Sequence, residues 1–274
     1  MNLSEALFFW LATALYAAAF VSLLFLVAFK GRRWARSAGA LLGLGFGVHT
    51  VVVGLRWWLA AHLPVGNTYE LNVTGTWIGM LVVLGVALRL PQARTVVIGA
   101  LPPVLLAMGI GVISETSVAP LSPAYDSPWL VVHIAFAFLA FGCFVLAFGA
   151  GVLSLFGRRV VRRRLAGLLP PDEELGSFEH RAVSAGFVLE ALMIITGALW
   201  ANRLWGSYWS WDDPVQTWSF VSLLVYALYL HVHAFPKRRG PATSVLAVIG
   251  LLFVMMSFWG VQYILPTVHN FNAL

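Results

Sequence analysis

Stretches of about 20 apolar residues recur along this chain, and no other feature of the sequence narrows its possible folds so far. Each is long enough for a helix to cross a hydrocarbon core of roughly 30 Å. Inside a bilayer the backbone must satisfy its own hydrogen bonds, so the stretches predict helices; they lack the alternation of a barrel strand. Eight spans can be read: Ala6–Phe29, Ala38–Ala61, Leu71–Leu90, Thr95–Ile113, Trp129–Phe156, Arg181–Trp200, Thr217–Phe235 and Thr243–Leu265. The composition agrees, with 60% hydrophobic and 10% charged residues and a mean hydropathy of +0.86. A soluble domain carries about 25% charged residues. The expected fold is all-α, a polytopic transmembrane bundle forming one integral membrane domain over residues 1–274, with no internal repeat. The first stretch lacks a basic start and a small-residue cleavage site, so it reads as a retained helix. The Gly157–His180 connection has room for a short amphipathic stretch.

A net charge of +6 and a pI near 9.9 could point to nucleic acid. The basic residues sit beside apolar stretches, however, which makes the lipid bilayer the partner and excludes nucleic acid. Lys30, Arg32, Arg33 and Arg36 follow the first span; Arg89 and Arg94 flank the turn after the third. Arg158, Arg159, Arg162, Arg163 and Arg164 follow the fifth, and Lys237, Arg238 and Arg239 the seventh. Thus 14 of the 17 Lys and Arg lie in alternate loops, which share one side of the membrane. The positive-inside rule makes that side cytoplasmic and puts both termini outside. The expected location is the cell (inner) membrane, multi-pass.

The outer side then receives the unusual chemistry. Residues 201–218 include Trp205, Tyr208, Trp209, Trp211 and Trp218, broken by Gly206, Ser207 and Ser210 and closed by Asp212-Asp213-Pro214. An interfacial belt needs aromatic area. It does not need small residues that let a flat ligand approach the backbone, whereas an aromatic shelf for a large planar ligand does. Two histidines are predicted at the same depth: His133, near the outer end of the fifth span, and His269, just past the eighth. Neutral imidazole is the usual ligand of haem iron, and two can fill both axial positions. One such histidine alone would read as a snorkelling polar residue; the pair beside the shelf favours ligation. Zinc would need three or four convergent ligands, and none cluster. The single cysteine, Cys143, excludes an intrachain disulfide or a CxxC site.

The segment Trp200-Ala-Asn-Arg-Leu-Trp205-Gly-Ser-Tyr-Trp-Ser-Trp-Asp212 resembles the tryptophan-rich "WWD" signature of haem-handling proteins, most closely the CcsA (ResC) family of system II cytochrome c biogenesis. The resemblance extends to His62-Leu-Pro-Val-Gly-Asn67-Thr-Tyr69-Glu70, Trp129-Leu-Val-Val-His133, Tyr229-Leu-His231 and the tail histidine. It implies that haem b lies against Trp205, Tyr208, Trp209, Trp211, Asp212 and Trp218, with Asn67 among the binding residues and His133 and His269 on the iron. It also implies that His231 binds haem within the membrane on its way outward. The family commonly has one Asp before the proline and Lys-Glu after it; here Asp212-Asp213 precede Pro214 and Val215-Gln216 follow. His233 stands where the family has a basic residue.

His231 lies about 20 Å along a helix from Trp218, so it cannot share an iron with His269. Its opposing ligand could be His49, in the second span, or come from a partner chain. The favoured reading of His49 is an interhelical hydrogen-bonding residue. Glu190, mid-span, could meet a histidine, a polar pathway or a partner helix, and the sequence leaves this open. Arg56 and Arg203 are the only Lys or Arg expected toward the outer side, and either could clamp a haem propionate; Arg56 could equally snorkel to the interface.

The expected function is haem transport to the outer face and its attachment to apocytochrome c at a CxxCH segment. The chain would act as a subunit of a cytochrome c haem lyase with a CcsB (ResB) type membrane partner. The alternatives are a CcmC-like protein delivering haem to a chaperone with an ABC transporter, a b-type cytochrome, or a transporter of another planar substrate. A CcmC-like protein is expected to have six spans rather than eight. A b-type cytochrome usually carries two histidines 13 to 14 residues apart on one helix, and no span here has that pair.

Overall fold

Why the apolar stretches become helices, and where each begins, is visible at their ends. The computed structural model describes residues 1–90, 94–114, 116–118, 120–121, 123, 127–156 and 170–261. Among these, α1 (Leu3–Phe29) starts at Asn2, whose side chain accepts a hydrogen bond from the Glu5 N–H at 2.8 Å. It ends at Lys30, in the left-handed region at φ 53°, and Gly31 leads into α2 (Arg32–Ala60). Asn67 caps α3 (Thr68–Arg89) in the same way, accepting from Glu70 N–H at 2.9 Å. An oxygen placed so satisfies a backbone N–H that the first helical turn would leave bare. The remaining helices are α4 (Val97–Ile113), α5 (Pro128–Phe156), α6 (Asp172–Trp205), α7 (Pro214–Ala234) and α8 (Pro241–Met255), the last continuing as a π-helical turn, Met256–Gly260. Pro214 and Pro241 open their helices, where the absent N–H costs nothing.

The expected all-helical membrane bundle is what forms. Among the described residues seven helices are long and apolar enough to cross a bilayer, and the shorter α4 is apolar throughout although Pro102 and Pro103 lie inside it. The expected ends were too short. Hydropathy places the second span from Ala38 and the sixth from Arg181, whereas the helices begin at Arg32 and Asp172. A helix does not stop where hydrocarbon does, because its backbone bonds are as good in the headgroup region. At α6 the acidic first turn, Asp172, Glu173 and Glu174, also complements the helix dipole. The end of the eighth span and residues 157–169 lie outside the described residues.

The contacts divide the chain into two compact units, one holding α1–α4 and the other α5–α8. In the first, α1 packs on α2 where Gly45 meets the Tyr16 ring, and α3 packs on α4 where Gly111 meets Asn72. In the second, Gly186 of α6 admits Phe144 of α5, and Gly250 of α8 admits Tyr226 of α7. Phe144 and Tyr226 then stack, their centroids 3.8 Å apart and their planes 4° from parallel. Lipid offers no hydrophobic drive for helix association, so close approach over small residues supplies the packing.

Candidate functional site

His133 sits one turn into α5, half-buried, and its Nδ1 lies 2.8 Å from the carbonyl oxygen of Met193 in α6. A carbonyl only accepts, so Nδ1 carries the proton and Nε2 holds the ring's lone pair. This is the tautomer that metal-bound histidines adopt, with the far nitrogen steadied by a backbone oxygen. At the same end of the unit the Arg203 guanidinium of α6 lies over the Trp129 ring of α5, 6.0 Å from its centroid. The connection from α6 to α7 therefore leaves the unit at the end where His133 lies.

That connection is the tryptophan-rich segment. Gly206, at φ 77°, ends α6 by donating its N–H to Asn202 O at 3.0 Å. Gln216 accepts from Ser210 N–H at 2.9 Å, and Thr217 Oγ1 donates to Trp211 O at 3.1 Å, tying the turn to the start of α7. Among the described residues the tryptophans of this segment make three sets of ring contacts. Trp205 meets Trp200, 5.3 Å between centroids; Trp209, Trp211 and Phe220 form an edge-to-face trio; and Trp218 leans on Phe253 of α8. Tyr208 and Trp211 are more than half exposed, an unusual state for such large rings unless lipid or a ligand covers them. The buried Trp209 Nε1 has no hydrogen-bond partner among the described residues. Asp212, the expected site residue, is exposed, while Asp213 is buried as the residue before α7. His269 lies outside the described residues.

Toward the far end of α7, His231 is exposed and meets only the Phe235 ring among the ring contacts described, at 5.2 Å. His233, on another face as expected, stacks on His180 of α6 with centroids 3.7 Å apart and planes 2° from parallel. Beside them the buried Glu179 accepts hydrogen bonds from Tyr229 Oη at 2.9 Å and Ser244 Oγ at 2.8 Å. Glu190, left open by the sequence, is buried and accepts from the Ser222 hydroxyl of α7. Among the described residues its second oxygen has no hydrogen-bond partner, and neither does the buried Tyr226 hydroxyl, one turn of α7 beyond Ser222. Sequence reading missed Glu179, His180 and Tyr226, yet a signal was there. Ser219, Ser222, Tyr226, Tyr229 and His233 recur every three or four residues, marking one face of α7.

The α1–α4 unit holds the other candidates, and there they are engaged by the protein. Arg56 is wholly buried, its Nε bonded to Glu70 Oε1 at 2.8 Å and its two Nη atoms to the carbonyls of Thr116 and Ser117 at 2.9 and 2.7 Å. Glu5 stands 3.6 Å from it and accepts from Tyr69 Oη at 3.0 Å. Asn67, besides capping α3, donates to Ser117 O at 3.1 Å, while Glu70 Oε2 accepts from Gly66 N–H at 2.7 Å. The Asn67-Thr-Tyr69-Glu70 motif is thus a helix-capping device joined to a buried ion pair. His49 is wholly buried between Tyr16 Oη, 3.4 Å from Nδ1, and Val73 O, 3.1 Å from Nε2. It joins α1, α2 and α3, matching the hydrogen-bonding reading.

Comparison with known proteins fits this picture. The family model of the cytochrome C assembly protein matches residues 1–269. Among individual relatives, the cytochrome c biogenesis protein CcsA of Prochlorococcus marinus (strain NATL1A) is 33% identical over 253 residues, covering 80% of this chain and 79% of that one. The CcsA of Synechococcus sp. (strain CC9902) is 29% identical over 305 residues, covering 96% and 97%. Among solved structures, the cytochrome c heme lyase CcmF superposes with a TM-score of 0.72 at 17% identity, over 98% of this chain and 48% of that protein. The likeness to CcmF is one of fold, and this chain spans about half of its length. The chain belongs to the cytochrome c assembly protein family.

Proposed function

We propose that this chain binds haem in its α5–α8 unit, on the extracytoplasmic face of the cell membrane, and holds it for attachment to apocytochrome c. The observation that carries the reading is His133: its Nδ1–H is held by the Met193 carbonyl, which orients the lone pair of Nε2 for iron beside the tryptophan-rich connection. The exposed rings of Tyr208 and Trp211 suit one face of a porphyrin, and Arg203 at that end suits a propionate. His269 would supply the other axial nitrogen. Arg56, whose three nitrogens already have protein acceptors, is better read as part of the fold than as a propionate clamp. Asn67, as helix cap, is better read the same way.

The attachment adds each thiol S–H of a CxxCH segment across a haem vinyl group, sulfur to one carbon and hydrogen to the other, without net oxidation or reduction. The chain's part is positioning, which can lower such a barrier by several kcal/mol. His231, on an exposed face of α7, fits an inner haem site completed from outside this unit by a CcsB (ResB) type membrane partner; His49 is engaged elsewhere. The decisive experiment replaces His133 and His269 together in the full chain purified with its partner. Loss of haem and of cytochrome c maturation is expected; unchanged haem content and maturation would refute the outer site.

A further inference from the structure

Resting on His133 as an iron ligand, we infer that Gly197 is the positioning residue that lets this imidazole take its place and sets which nitrogen faces the ligand. In an α-helix the Met193 carbonyl already accepts from the N–H four residues on, that of Gly197. The His133 side chain reaches the same oxygen from another helix, and a ring on that path passes close to position 197. A Cβ built on Gly197 would stand 2.6 Å from Nδ1, 2.8 Å from Cε1 and 3.6 Å from Cγ of His133. These atoms belong to a rigid ring, and a Cβ has no rotamer by which to avoid it. Any other residue at 197 must push the imidazole off Met193 O or push α5 away from α6.

Three other glycines at helix contacts of this unit differ in what they admit. Gly186 meets the Phe144 ring, Gly250 the Tyr226 ring and Gly151 the backbone of Ser244, all interhelical packing. Gly197 meets a nitrogen that is itself hydrogen-bonded, at 2.8 Å, so its missing side chain is converted into a directed polar contact. Thr196 donates chiefly to Leu192 O at 2.7 Å and only secondarily to Met193 O at 3.1 Å, which leaves that oxygen accessible to the ring. A hydrogen bond from the far nitrogen raises imidazole basicity and fixes the ring's angle; losing such a partner typically costs about 10- to 100-fold in metal affinity. The small residue of Gly197-Ala-Leu-Trp200 thus acts on the haem through His133 without touching it.

The test compares the full wild-type chain, co-purified with its membrane partner, with Gly197→Ala, Gly186→Ala and His133→Gly. Haem affinity, the absorption spectrum and the midpoint potential are measured with thermal stability in detergent. Gly197→Ala is expected to bind haem about 10- to 100-fold more weakly, with a raised potential, since a less basic imidazole favours ferric iron less. Gly186→Ala should lose stability but keep the wild-type spectrum and potential. His133→Gly should lose six-coordinate low-spin haem and regain it with added imidazole. Wild-type affinity, spectrum and potential in Gly197→Ala, with haem lost in His133→Gly, would overturn the role of Gly197 alone. Haem unaffected in His133→Gly would remove the ligand itself and this inference with it. Should Gly197→Ala fail to accumulate, pulsed EPR of the ferric wild type with ¹⁵N-histidine decides: a slowly exchanging Nδ1 proton supports the contact, and a freely exchanging one overturns it.

Discussion

The Arg56 cluster of the α1–α4 unit and the Glu190–Tyr226 pair of the α5–α8 unit are filled to different extents. In the first, Arg56 lies between Glu5 and Glu70 with a protein acceptor on each of its three nitrogens. In the second, Glu190 and Tyr226 each keep a buried oxygen without a hydrogen-bond partner among the described residues, and farther along α7 two histidines stack face to face. A closed cluster in a low-dielectric interior is a lock, because any change leaves a buried charge uncompensated. An incompletely closed one can accept a water, a proton or a ligand at smaller cost. The contrast teaches that polar residues within membrane helices do not all mark function; what matters is whether their valences are already filled.

Substitutions test this contrast in order of size. Arg56→Met should destabilise most, by about 3–5 kcal/mol, since it strands two buried carboxylates. Thermal unfolding in detergent measures this, and a loss under 1 kcal/mol would show that the cluster is no lock. Next, Asn67→Ala removes the cap of α3 and the contact to Ser117 O, with an expected loss of about 1–2 kcal/mol and no change in haem binding. A stable variant that has lost haem would move Asn67 back among the ligand-binding residues. His133→Gly should cost roughly 1 kcal/mol in stability yet abolish the outer haem spectrum. A large stability loss with haem retained would make it a packing residue like His49. Smallest of all, Glu190→Gln keeps an acceptor for the Ser222 hydroxyl and should change stability by less than about 1 kcal/mol, near the average for hydrogen bonds between membrane helices. A collapse as severe as that of Arg56→Met would show that Glu190 is as tightly engaged as the arginine.

These tests also separate two meanings of the same sequence motif. Residues 67–70 read as part of a haem-binding resemblance, and their structure is a cap tied to an ion pair. The spacing of Asn67 and Glu70 could have announced this, since Asn followed three residues later by Glu is a helix-start signature. The involvement of Glu5 and of the Thr116 and Ser117 carbonyls could not, because those segments meet only when α1, α2 and α4 pack.

What the sequence by itself determined is the class of fold, since hydrocarbon permits a backbone few ways to bond itself, and runs of 20 apolar residues are legible without any partner. It also marked His133 and the tryptophan-rich turn, because such residues are rare enough there to stand out. The helix ends at Arg32 and Asp172 escaped it, as hydropathy reports the edge of the hydrocarbon and not the end of the hydrogen-bond ladder. Only tertiary structure decided that Gly197 underlies His133, that Asp213 turns inward while Asp212 faces out, and that His180 meets His233. Each of those depends on which face of one helix is pressed against another, and helix packing is settled by the summed fit of many side chains, which no local stretch encodes.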